Sequence, residues 1–244
     1  MGMRFFIERL LQFLLPPQCP CCKKFLDEGQ QRVCADCLSQ IRRIQPPFCS
    51  VCGTPFVSKE VGSHLCGGCV AGEKYFTTAR ALGFYEGFLQ EAIRQWKYES
   101  KTHLTPFLGE WMAEGLARYW DSEHFDLLLP VPLHLHRLRE RGFNQALLLV
   151  KELNRWTGIP YQKRALRKRR ATIPQVHLSG ADREKAVKGA FHVAGKEALE
   201  EKTILLVDDV YTTGATVNEC SRVLLAAGAK RVDVLTLAHA VRTT

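Results

Sequence analysis

The sequence contains no uninterrupted apolar run long enough to cross a bilayer. Its most apolar stretch, Met1 to Gln18, is broken by Glu8, Arg9 and Gln12 and closed by Pro16-Pro17. That segment is too short and too polar to span a membrane, and it lacks the continuous core and small-residue cleavage site of a secretory signal. The expectations are an amphipathic N-terminal segment docking on its own chain or on a partner, no membrane span, and a cytoplasmic location. Two common nucleotide-binding fingerprints, G-x-x-x-x-G-K-[ST] and G-x-G-x-x-G, are also missing. Acidic residues are few beside basic ones, 25 against 34, which leaves a formal net charge of +9. Disorder is excluded, because 46% of the 244 residues are hydrophobic and can bury a core.

The two excesses have separate addresses. Between His134 and Gly189 there are fourteen Lys/Arg and four Asp/Glu, so this segment carries +10 and the rest of the chain is close to neutral. Of the 10 cysteines, all but Cys220 fall between Cys19 and Cys69. They form four C-x-x-C pairs, Cys19/Cys22, Cys34/Cys37, Cys49/Cys52 and Cys66/Cys69, with Cys21 as a spare thiol. In a reducing compartment such density argues for metal rather than disulfides. Two thiolates two residues apart turn both sulfurs toward one cation, and two such knuckles complete the tetrahedral shell that zinc favours. Four knuckles make two structural zinc sites. Serial pairing gives a double ribbon and interleaved pairing a cross-brace; the serial form is favoured because each half is then a complete ribbon. Redox catalysis by a C-x-x-C needs a βαβ context that this block lacks.

From Tyr75 onward the pattern changes to alternating strands and helices. The periodicity predicts strands at Ala81 to Tyr85, Phe125 to Pro130, Thr203 to Val207 and Arg231 to Ala238. It predicts helices at Phe88 to Tyr98, Leu104 to Trp120, Asn144 to Trp156 and Val217 to Ala227. Such alternation specifies a parallel α/β sheet. The organisation expected is an N-terminal segment 1–18, a zinc module 19–74 and an α/β domain 75–244.

In open α/β sheets ligands bind at the carboxyl ends of strands. One such end reads Val207-Asp208-Asp209-Val210-Tyr211-Thr212-Thr213-Gly214-Ala215-Thr216. Two carboxylates sit where the strand emerges, and a Thr-Thr-Gly turn leads into a helix. The N–H groups and partial positive charge of that helix start suit a phosphate, with Thr hydroxyls as added donors. The carboxylates suit sugar hydroxyls, so the string describes a phosphorylated sugar. It resembles the 5-phosphoribosyl-1-pyrophosphate (PRPP) motif of type I phosphoribosyltransferases. That resemblance implies a parallel sheet with helices on both faces, Asp208 and Asp209 as the ribose-binding and catalytic pair, and Thr212, Thr213, Gly214, Ala215 and Thr216 around the 5′-phosphate. It also implies magnesium bound with PRPP.

Val131-Pro132, Arg137 and Arg141-Gly142-Phe143-Asn144-Gln145-Ala146 resemble the signature of the ComF family, in which a zinc ribbon precedes a phosphoribosyltransferase-like domain. By position Arg137 and Arg141 then either neutralise pyrophosphate or lie on a solvated helix, while Asn144 and Gln145 cap the following helix. Arg167 to Phe191 takes the place of the hood loop, with Ala186 where the pattern would put asparagine. The resemblance implies a part in natural competence, either as a phosphoribosyltransferase of unknown acceptor or as a PRPP sensor without turnover. Single-stranded DNA is a further implied partner through Lys163-Arg164 and Arg167 to Arg170, and a competence helicase through the ribbons.

Overall fold

The computed structural model describes residues 18–19, 21–26, 33–56, 62–98, 102–121, 124–169, 185–195 and 199–241. The N-terminal segment up to residue 17 and the hood residues Arg170, Thr172, Gln175, Leu178 and Arg183 lie outside them.

Four strands form a parallel sheet: β1 (Thr78–Phe84), β2 (Leu127–Pro130), β5 (Thr203–Tyr211) and β6 (Arg231–His239), in the order β1-β6-β5-β2. The continuous apolar runs that predict buried strands are explained by helices on both faces. Strand alternation sends Leu205 and Val207 to one face and Ile204 and Leu206 to the other. The first face is covered by α3 (Gly87–Tyr98), α4 (Thr105–Tyr119) and α6 (Gln145–Thr157), through side chains such as Ile93, Trp96, Leu108 and Leu149. On the second face α7 (Ala215–Leu225) inserts Val217, Cys220 and Leu224. There it is joined by a small antiparallel pair, β3 (Leu166–Lys168) with β4 (Phe191–Val193). A short α5 (Leu135–Arg141) follows β2.

The eight paired cysteines form two groups whose ligand atoms lie within 4.8 Å of one another: Cys19, Cys22, Cys34, Cys37 and Cys49, Cys52, Cys66, Cys69. The pairing is serial. Each group repeats one design. A tight turn closes the first knuckle, with Lys23 N–H donating to Cys19 carbonyl and Gly53 N–H to Cys49 carbonyl. The second knuckle opens a helical turn, α1 (Ala35–Ser39) after Cys34 and α2 (Gly67–Val70) after Cys66. Lys23 and Gly53 occupy the same left-handed position, with φ of 65° and 71°. Glycine is required only at 53, where a Cβ would come within 2.6 Å of the Ala79 carbonyl oxygen on β1.

That close approach shows how the ribbons are held. The segment between them pairs antiparallel with the edge strand β1, Ile44 N–H donating to Leu82 carbonyl and Phe84 N–H to Arg42 carbonyl, both at 2.9 Å. Ala79 N–H donates to Val51 carbonyl at 2.7 Å. The ribbons therefore cover an otherwise open sheet edge. Cys19, Cys34 and Cys37 belong to the apolar cluster of the α3/α4/α6 face, and Cys49 and Cys52 to that of the α7 face.

Candidate functional site

β2 ends at Pro130, paired with Val207, whereas β5 runs on to Tyr211. The sequence places the strand end at Val207; in the structure Asp208, Val210 and Tyr211 still pair with β6, opposite Thr236, Ala238 and His239. From Asp208 onward β5 is thus open on its β2 side, and α5 lies after β2 on that side. The acidic pair belongs to the strand, so its two carboxylates leave on opposite faces.

Asp209 leaves on the face covered by α3. Lys97, in the last turn of that helix, sets Nζ 2.7 Å from Asp209 Oδ1, and both side chains are only 13% exposed. Asp208 leaves toward α7 and β3. Its carboxyl is pushed up to about 7 by burial and then by the Asp209 charge, against the Asp209 N–H at 2.9 Å and the cations Lys97 and Lys168. Lys168 is half-buried, and burial lowers its ammonium from its ordinary value while Asp208 acts to raise it. The acidic pair is therefore met by one lysine from each face, and neither lysine was singled out by the motif.

The turn after β5 carries the remaining motif residues. Gly214, the N-cap of α7, has φ of 77°, and a Cβ there would overlap the hydroxyl and ring of Tyr211. Thr212, Thr213 and Thr216 are half-buried, and Ala215 N–H donates to Thr213 Oγ1 at 3.4 Å. Helix α7 starts at Ala215, so Thr216 belongs to its first turn. Tyr211 stacks at a tilt on His239, with centroids 4.9 Å apart, and His239 Nε2 lies 3.3 Å from Thr54 Oγ1. Thr54 Oγ1 is in turn 3.1 Å from Cys52 Sγ. A side-chain chain thus runs from the second cysteine group to the floor of the Thr-Thr-Gly turn.

Arg137 and Arg141 share a basin of about 260 Å³ with Lys97, Tyr98 and Glu140. Arg137 pairs with Glu140 at 3.0 Å. Arg141 is not on a solvated helix face. It donates to the Tyr98 hydroxyl at 3.1 Å and to Gln145 Oε1 at 3.2 Å, with its guanidinium 4.8 Å from the Tyr98 ring centre. Asn144 caps α6, accepting from Leu147 N–H, and ties the cap to the residue after β2 by donating to the Val131 carbonyl at 3.1 Å. Gln145, 1% exposed, supports Arg141. The end of the hood is anchored where Gly189 N–H donates to Glu219 Oε1 at 2.8 Å.

The cysteine groups have the chemistry of zinc sites. Burial raises the Cys49 thiol, but the N–H groups of Cys66, Cys52 and Val51 outweigh it and bring it to about 6. One of these N–H groups lies 3.3 Å from the sulfur. Backbone donors aimed at buried sulfur favour the thiolate, which is the ligating form. His64 stacks on Phe56 at 4.0 Å and is not part of the group. Cys21 is pushed up to about 12 by burial and by neighbouring thiolates, so it stays a neutral thiol outside the four-sulfur group. Among the described residues no helix is long and apolar enough to cross a membrane.

Comparisons with known proteins agree with both halves. The family model for the double zinc ribbon domain matches residues 10–70, and that for the phosphoribosyl transferase domain matches residues 153–244. Competence protein F of Haemophilus influenzae is 30% identical over 227 residues, covering 91% of this chain and 97% of the relative. DNA utilization protein YhgH of Escherichia coli is 30% identical over 224 residues, 90% of this chain and 96% of the relative. Competence protein ComFC of Bacillus subtilis is 26% identical over 215 residues, 84% and 82%.

Proposed function

Because this chain belongs to the family of Competence protein F and joins a double zinc ribbon domain to a phosphoribosyl transferase domain, we propose that it binds PRPP and transfers its phosphoribosyl group in the handling of transforming DNA. The observation that carries this reading is the placement of the acidic pair and the Thr-Thr-Gly turn. Both lie at the open carboxyl end of β5, beyond the last β2 pairing, where a parallel sheet binds its ligand. Asp208 and Asp209 would accept hydrogen bonds from the ribose hydroxyls. Thr212 to Thr216 would hold the 5′-phosphate at the start of α7, and Arg137 and Arg141 the pyrophosphate. The two carboxylates do not make a magnesium cage of their own; they fit an ion that arrives on PRPP oxygens and neutralises phosphate charge.

In the transfer, the bond from ribose C1 to the pyrophosphate oxygen breaks, its electron pair leaves with pyrophosphate, and an acceptor atom bonds C1 as it loses a proton. The protein's part is electrostatic: carboxylates steady the ribose while cations stabilise the charge gathering on the departing group. Calorimetry of the zinc-loaded protein with PRPP and magnesium tests this. Binding is expected in the wild type and a loss of tenfold or more, roughly, in Asp208→Asn with Asp209→Asn, since each carboxylate loses charge-assisted hydrogen bonds. No heat in the wild type sinks the proposal. Pyrophosphate release with candidate bases or DNA then separates an enzyme from a sensor.

A second reading is favoured by one feature. Lys163, Arg164, Arg167 and Arg169 are all exposed, so a basic surface remains for the phosphates of single-stranded DNA.

A further inference from the structure

The PRPP motif explains the acidic pair but not the cation that Asp209 already holds. Lys97 comes from the helix between β1 and α4, far in sequence from the motif, and buries its ammonium against a carboxylate on another element. A buried ion pair of this kind is a weak source of stability, because both ions lose their hydration. Helix α3 does not need it as an anchor: Leu89, Ile93 and Trp96 are at most 1% exposed, and Trp96 Nε1 donates to Thr105 Oγ1 at 3.0 Å.

Lys97 also lines the basin that holds Arg137 and Arg141. Among the described residues that line it, three cations face one carboxylate, Glu140, and Arg137 already pairs with it. Two buried donor atoms beside them, Arg141 Nε and Gln145 Nε2, have no hydrogen-bond partner among the described residues. Excess positive charge with unused donors calls for an anion rich in acceptor oxygens. Among the described residues Lys97 alone is common to this basin and to the Asp209 contact.

We infer that Lys97 is a substrate-contacting residue that bridges the two ends of the reacting bond, holding Asp209 in the absence of ligand and the pyrophosphate arm in its presence. This rests on the PRPP reading above. The chemistry of the ligand supplies the reason. The pyrophosphate hangs on C1, and C1 is bonded to C2, so a carboxylate at the ribose hydroxyls and a cation at the pyrophosphate must stand side by side. Lys97 is already at that distance from Asp209. Once ribose hydroxyls share the carboxylate, its ammonium can turn to the leaving group, on a flexible stem with three donors.

The experiment uses zinc-loaded protein with magnesium and three probes: PRPP, inorganic pyrophosphate and ribose 5-phosphate. In Lys97→Gln, affinity for PRPP and for pyrophosphate is expected to fall about ten- to a hundredfold, the range for losing a charged hydrogen bond to phosphate, while ribose 5-phosphate changes by less than about threefold. Lys97→Arg keeps the charge and is expected to recover most of the loss, which separates charge from fold; the thermal midpoint of each variant checks folding. An equal loss for all three probes, or an unchanged PRPP affinity, overturns the inference and leaves the functional reading standing. If the wild type binds neither PRPP nor ribose 5-phosphate, the reading itself falls and the inference falls with it.

Discussion

The carboxyl of Asp208 is pushed up from 3.8 to about 7 by burial, while Asp209 beside it faces an ammonium at 2.7 Å. Between about pH 4 and 7 the folded chain therefore holds a proton that the unfolded chain has released. Asp208 thus contributes most to stability below pH 4, and that contribution is lost as the pH rises toward 7. Asp208→Asn cannot ionise and avoids the loss. We expect its thermal midpoint to exceed that of the wild type at pH 8 by roughly 2–4 °C for each kcal/mol recovered, and by less at pH 5.5. Scanning calorimetry at the two pH values decides it, and an equal difference at both would mean that Asp208 is not a buried acid. Lower pH is avoided because thiolate ligands protonate and release zinc. The same burial suits the group to its proposed work, since a carboxyl poised near neutrality can exchange a proton for a ribose hydroxyl contact.

Elements sort residues that sequence runs together. Along Lys163 to Arg169 the basic residues look alike, yet β3 places Lys168 inward, over the Phe191 ring at 5.4 Å and toward Asp208, and leaves Arg167 and Arg169 exposed. Period-two alternation splits one charge run into a site lysine and an outer edge. If single-stranded DNA lies on that edge, replacing Arg167 and Arg169 by serine lowers the slope of log affinity against log salt by about 1.4, near 0.7 for each phosphate contact, and leaves PRPP affinity unchanged. Lys168→Ser should do the reverse. An unchanged slope in the arginine variant removes β3 from any nucleic-acid interface. Element bounds shift as well: β1 starts three residues before the expected Ala81, and β5 extends four residues past Val207 by pairing with β6 alone. That one-sided extension leaves the backbone of the acidic pair without a neighbouring strand on the β2 side.

At the scale of the whole molecule the ribbons are part of the sheet domain rather than a separate head. Their connecting segment closes the β1 edge, Arg80 Nη2 donates to the Ser50 carbonyl at 3.0 Å, and Gly53 rests on Ala79. The second ribbon also reaches the Thr-Thr-Gly turn through Thr54, His239 and Tyr211. Metal loss should therefore be felt unequally. Metal analysis is expected to give about two zinc per chain and about one in Cys69→Ser or Cys34→Ser. Cys69→Ser should speed hydrogen exchange at the amides of Ala79 and Tyr211, whereas Cys34→Ser should leave Tyr211 near its wild-type rate. Equal protection of Tyr211 in both variants would show that the ribbon and the turn are independent.

The sequence by itself determined the class of each part. Spacing alone defined four knuckles, because two residues between thiols let both sulfurs face one tetrahedral ion, and their serial grouping is seen in the structure. Alternating apolar periods defined a parallel α/β sheet, and the string from Asp208 to Thr216 marked the strand end where a ligand would sit. Those signals are local, carried by residues within a few positions of one another. What only the tertiary structure decided is which distant groups meet them. Lys97 lies more than one hundred residues before Asp209, and nothing in α3 distinguishes it from any other lysine in a last helical turn. In the sequence Arg141 fits a pyrophosphate ligand and a solvated helix equally well, and only the fold brings Tyr98 against it beside Gln145. Thr54 and His239 carry no motif, yet they join a cysteine group to the turn after β5. Pairing across the chain depends on how sheet order and helix packing bring surfaces together, and that information is distributed over the whole core rather than written beside the residues it unites.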